Sequence, residues 1–163
     1  MGFCFLLIAG CAVLPVSAGQ AGAADTVWTF VTEVPGRAAR TDLPPQAAIV
    51  RLDQAAYERA VRNAPRSPSA ATSNVTLSLP LPNRTLMRFR IAESSMLAPE
   101  LAAAYPFIRT YRGQGLDDPS ATARFGWTEK GFHALLLMQG GDVYIDAYAP
   151  GDIQHYVTMK KAQ

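Results

Sequence analysis

The stretch from Tyr105 to Pro150 constrains this chain most, because apolar alternation and turn chemistry agree along it and together describe an antiparallel meander. Ala123, Phe125 and Trp127 fall on one strand face, with Thr122, Arg124 and Thr128 on the other, which is the two-residue period of a half-buried strand. Glu129-Lys130-Gly131 then turns the chain. Phe132 to Met138 is apolar on both faces apart from His133, the pattern of a central strand. Gln139-Gly140-Gly141-Asp142 supplies glycines that accept the positive φ of a tight hairpin, and Val143 to Tyr148 runs back. Pro150-Gly151-Asp152 turns again, and Ile153 to Met159 reads as a fourth strand.

The residues before this stretch alternate less regularly. Thr26 to Val34 reads as a first strand ended by Pro35-Gly36, Arg37 to Pro45 as loop, and Ala47 to Leu52 as a short strand. Asp53 is a suitable N-cap for a helix running to about Ala64, with Tyr57, Val61 and Ala64 on its buried side; Pro65 stops it. Val75 to Leu81 and Leu86 to Ile91 flank Pro82-Asn83-Arg84 as a hairpin. Pro99 and Glu100 suit the first turn of a second short helix, which Tyr105-Pro106 closes before Phe107 to Tyr111 returns to strand. The expectation is a single α+β domain, mainly antiparallel sheet with a C-terminal meander and two short helices packed against it.

The 163 residues, 49% hydrophobic and 17% charged, fit one globular domain, and a net charge of +2 with scattered basic residues is too small to call for a nucleic-acid partner. The apolar run from Phe3 to Val16 is short for a membrane span and ends in small residues, so residues 1–24 read as a signal peptide cut between 18 and 24. Residues 25–163 form the domain. Secretion or periplasmic export is the expected fate. Cys4 and Cys11 are the only cysteines, so a chain cleaved there has none and no disulfide. Ile8-Ala9-Gly10-Cys11 also resembles a bacterial lipobox; lipidation of Cys11 would instead hold the protein on the cell envelope.

GQGLDDPSATARF followed by GFHALLL and VYIDAY resembles the N-terminal propeptide-type region of secreted bacterial reprolysin-like zinc metalloproteases. Trp28, Ile49-Val50-Arg51-Leu52-Asp53, Leu79-Pro80-Leu81-Pro82, Met96-Leu97-Ala98-Pro99-Glu100-Leu101 and Tyr105-Pro106 follow the same order, so the resemblance covers roughly Trp28 to Lys160. Ala147 stands where that pattern has proline, and Gly126 where it has aspartate. The resemblance implies a non-catalytic domain that assists folding of a reprolysin-like catalytic domain or occludes its cleft, in cis or in trans. Zinc would belong to that partner alone. The alternative is an exported protein-binding module, free or lipid-anchored, with no protease partner.

No catalytic constellation can be assembled from the residues. HExxH, which the partner domain would bear, is missing up to Gln163, as are a Gly-x-Ser-x-Gly elbow and a P-loop, so the domain itself is not expected to be an enzyme or to hold a cofactor. His133 and His155 are the only histidines; the first reads as a hydrogen-bonded sheet residue and the second as surface, with no zinc set between them. Gly113, Gly115, Asp117 and Asp118 form a loop whose ordinary reading is a tight turn and whose functional reading is a projecting tip bringing a carboxylate to a partner's zinc. Arg84, Arg88 and Arg90 share a strand face, either as solvated edge charges or as a docking face for an acidic partner.

Overall fold

A computed structural model describes residues 26–38, 40–67, 69–94, 100, 104–105 and 108–160. The segment expected to be a signal peptide, with Cys11, and most of the second helix expected after Pro99 lie outside the described residues. The strands are β1 (Trp28–Val31), β2 (Ala48–Leu52), β3 (Thr76–Pro80), β4 (Leu86–Glu93), β5 (Arg109–Gly115), β6 (Thr122–Thr128), β7 (Gly131–Leu137), β8 (Val143–Ala147) and β9 (His155–Lys160), with helix α1 (Gln54–Val61) between β2 and β3. They make one nine-stranded sheet in the order β1-β2-β9-β8-β7-β6-β5-β4-β3. Every pairing between these strands is antiparallel.

The turns expected from glycine chemistry form as read. Gly131, Gly141 and Gly151 all take positive φ, at the three reversals of the meander. The pairing of β9 with β2 is the long-range step: Val50 lies opposite Tyr156 and Ala48 opposite Thr158, joining the N-terminal hairpin to the last strand of the meander.

The sheet curls until it nearly closes on itself. Thr158 on β9 donates its hydroxyl to the Pro80 carbonyl on β3 at 2.9 Å, and the Arg84 guanidinium lies 5.5 Å from the centre of the Phe30 ring on β1. Pro80 brings no N–H to this sheet edge, which suits an edge strand.

This curl overturns the α+β expectation. The protein is mainly β; among the described residues only α1, Glu100 and Ala104 are helical. An amphipathic sheet must bury its apolar face against another layer, which can be helices, a second sheet or the same sheet curled on itself. Here the inward side chains of one half meet those of the other, so the sheet supplies its own second layer. Phe132 marks the meeting point: its ring lies 5.1 Å from Trp28, 5.4 Å from Tyr57, 5.9 Å from Tyr156 and 6.0 Å from Phe125, joining β1, α1, β9 and β6. Tyr156 is fully buried with its polar end satisfied, accepting from the Phe132 N–H at 3.1 Å and donating to the Ile153 carbonyl at 3.0 Å.

Helix α1 forms where expected. Asp53 caps it by accepting from the Ala56 N–H at 2.9 Å, and Ala56, Tyr57 and Val61 are buried against the sheet. The segment following β1 packs on the opposite, outer face of the sheet. Val34, Tyr148 and Val157 form a small second cluster there, flanked by Leu43 and Ala47. The Tyr148 hydroxyl fastens this segment by donating to the Ala38 carbonyl and accepting from the Arg40 N–H, each at 3.1 Å.

Candidate functional site

The glycine-rich stretch of the expected tip is mostly strand. Gly113 and Gly115 belong to β5, opposite Ile91 and Phe89 on β4. Their lack of a side chain serves close approach: a Cβ on Gly115 would sit 2.1 Å from the Asp118 carbonyl oxygen, and one on Gly113 would sit 3.0 Å from the Ala123 Cβ. The chain turns only after Gly115. The Gly115 N–H donates to the Ala121 carbonyl at 2.9 Å and the Ala121 N–H to the Asp118 carbonyl at 3.0 Å, which draws the turn tight against the strand end.

Both carboxylates of that turn have local partners. Asp117 accepts from the Arg88 backbone N–H at 2.8 Å and from its guanidinium at 2.6 and 3.1 Å. Asp118 accepts from the Ser120 hydroxyl at 2.6 Å and the Ser120 N–H at 2.9 Å. The guanidinium, then the backbone N–H, of Arg88 holds the Asp117 carboxyl below its ordinary pKa; for Asp118 the Ser120 hydroxyl and N–H do the same. Both oxygens of Asp117 are engaged by Arg88, whereas both Asp118 bonds fall on its Oδ1, so Asp117 is the more committed of the two to its local partner.

The arginines do not act as one group. Arg88 and Arg90 are exposed on the same face of β4, but Arg88 is engaged by Asp117. Arg84 is in the β3–β4 turn at φ 62° and stacks on Phe30.

The two histidines exchange the roles expected of them. His133 is exposed on the outer face of β7, opposite Gly126. His155 is half-buried, with its Nδ1 3.3 Å from Asp152. Asp152 is itself buried and also accepts from the backbone N–H groups of Gln154 and His155 at 3.0 and 2.9 Å. Burial acts to raise the Asp152 pKa. The His155 and Gln154 backbone N–H groups, with the interaction of the His155 ring, outweigh it and leave the carboxyl below its ordinary value.

A groove on the outer face went unread in the sequence. A cavity of about 1090 Å³ lies between the Arg37–Asp42 segment and the ends of β7 and β8, and a second of about 310 Å³ crosses β5 to β8 beside it. His133 and Asp146 line both. Continuing the β7–β8 register by one residue past Ala134–Ile145 sets these two side chains opposite each other, so the two cavities meet at this pair. Lys130 lines the larger cavity; Arg124, Leu135 and Tyr144 line the smaller. Strand parity does mark Arg124, His133, Tyr144 and Asp146 as outward-pointing, but parity carries no register, and register is what gathers them.

Among the described residues no group of three or more His, Cys, Asp or Glu is arranged to hold a metal, and no helix is long and apolar enough to cross a membrane. Comparison of the chain with family models, curated proteins and solved structures gives no match.

Proposed function

We propose that this chain is a non-catalytic, propeptide-like domain that docks on the catalytic domain of a secreted reprolysin-like zinc metalloprotease, in cis or in trans, and occludes its cleft or assists its folding. One observation carries the reading: the segments behind the resemblance, GQGLDDPSATARF, GFHALLL and VYIDAY, fall on the contiguous strands β5 to β8. Their inward side chains, among them Phe125, Phe132 and Ile145, are core, while their outward side chains form a broad face on which the groove lies. A surface of this kind suits binding by shape and charge.

Occlusion by the sheet face is the favoured mode. A zinc-reaching carboxylate would cost Asp117 its Arg88 bonds, whereas a sheet face needs no rearrangement to cover a cleft. The test is to mix residues 25–163 with the catalytic domain of a reprolysin-like zinc protease, measuring binding by calorimetry and peptide hydrolysis by fluorescence. The expected outcome is a one-to-one complex with slowed hydrolysis or faster refolding of the protease. The absence of binding, of inhibition and of improved refolding together would overturn the proposal.

A further inference from the structure

We propose that the outer-face groove spanning the two cavities is a binding site for an extended acidic segment of the partner; this rests on the docking reading above and specifies its chemistry. The groove's dimensions fit a peptide. Crossing from β5 to β8 covers three inter-strand gaps, roughly 14 Å at about 4.8 Å each, which is the length of about four extended residues at about 3.3 Å per residue. The larger cavity of about 1090 Å³ continues beyond β8 and leaves room for more chain.

Charge selects the occupant. Arg37, Arg40 and Lys130 line the larger cavity and Arg112 and Arg124 the smaller, against the carboxylates of Asp42 and Asp146. Some of this charge is already answered. Arg40 is bound to Asp42, Arg37 lies 3.5 Å from Asp152, and the Arg112 Nε donates to Ser94 Oγ at 2.7 Å. Lys130 and Arg124 are exposed, one in each cavity, and neither makes an ion pair among the described residues. A ligand carrying acidic side chains several residues apart would meet both, while Leu135 and Tyr144, in the same cross-strand row as Arg124, offer apolar contact beside it. A basic segment would find Asp146 but face excess like charge.

The decisive variant is Lys130→Glu combined with Arg124→Glu, because both side chains are solvent-exposed and outside the core. Fluorescence anisotropy with a labelled hexaglutamate peptide should show binding by residues 25–163, weakened at least roughly tenfold in the double variant by charge reversal and severalfold on raising salt from about 0.05 to about 0.5 M by screening. Amide shifts in the wild-type titration should map to β6–β8, around His133 and Asp146. Binding to a reprolysin-like catalytic domain should weaken in parallel. A double variant that binds peptide as wild type does, or shifts confined to Arg88 and Arg90, would overturn the groove assignment. Loss of peptide binding with unchanged protease binding would overturn it as a partner site while leaving the docking reading intact. If neither form binds protease, the docking reading fails and this inference with it.

Discussion

The carboxylate of Asp117 is held by both the backbone N–H and the guanidinium of Arg88, so one acidic side chain ties the turn after β5 to the middle of β4. The pair is solvent-exposed, with 64% of the Arg88 and 37% of the Asp117 side chain accessible, so water screens it and its stabilising effect is small. Asp117→Asn should therefore lower the urea midpoint only slightly. The double variant Asp117→Asn with Asp118→Asn should inhibit a reprolysin-like protease as wild type does. Lost inhibition by a folded double variant would reinstate the carboxylate as a metal-reaching group.

Gly115 tolerates no side chain. A Cβ there would meet the Asp118 carbonyl oxygen at 2.1 Å, and relief requires moving backbone that three hydrogen-bonded segments share. Gly115→Ala should cost on the order of 2–4 kcal/mol in chemical denaturation. Gly140, whose Cβ position has nothing within 4 Å, is the matched control and should change by less than about 0.5 kcal/mol as Gly140→Ala.

Tyr57 presents a different balance. Its ring packs against Phe132 and Trp127, yet its hydroxyl is buried without a partner among the described residues, and burial pushes the phenol pKa well up. Removing that hydroxyl takes away a desolvated group and leaves the ring. Tyr57→Phe should keep or raise stability by up to about 1 kcal/mol, whereas Tyr57→Ala should lose about 3–5 kcal/mol through the cavity. A thermal melt of both variants separates the two contributions. A marked drop in Tyr57→Phe would mean that the hydroxyl is engaged in solution.

Acid should loosen the β8–β9 turn. Folding lowers the Asp152 pKa from its ordinary 3.8, so the charged carboxylate is favoured in the folded state. Its contribution is complete at pH values above about 5 and is lost as pH falls through the folded value. Wild type should be less stable at pH 3 than at pH 6, and Asp152→Asn should show a smaller difference between the two. Equal acid sensitivity in the variant would assign the effect to Asp42, Asp117 and Asp118, whose carboxyls are also held low.

Local signals in the sequence were read well and distant ones poorly. Asp53, Tyr57 and Val61 specify a capped helix within a few residues of one another, and Gly131, Gly141 and Gly151 mark the reversals that fold as expected. Nothing local in His155 to Lys160 names β2 as a neighbour, and that pairing turns a meander with helices into a nearly closed sheet. The two glycines beside Gln114 illustrate the same limit. Glycine signals either backbone freedom or want of space, and only the neighbouring Asp118 carbonyl and Ala123 methyl show that space decides here. His133 was placed in the correct strand, but its exposure depends on nothing covering the outer face at that point.

Because β9 is inserted between β2 and β8, the chain's last described strand is an interior member of the sheet. A ribosome or translocon delivers residues 28–52 roughly a hundred positions before the strand that must join them to the rest. Until then β1 and β2 form a two-stranded ribbon, marginal on its own in water. The closing step is therefore a late, high-contact-order event, and refolding should be slow for a domain of this size. A chain cut back before His155 would lose the seam of the sheet, leaving two unpaired interior edges open to aggregation.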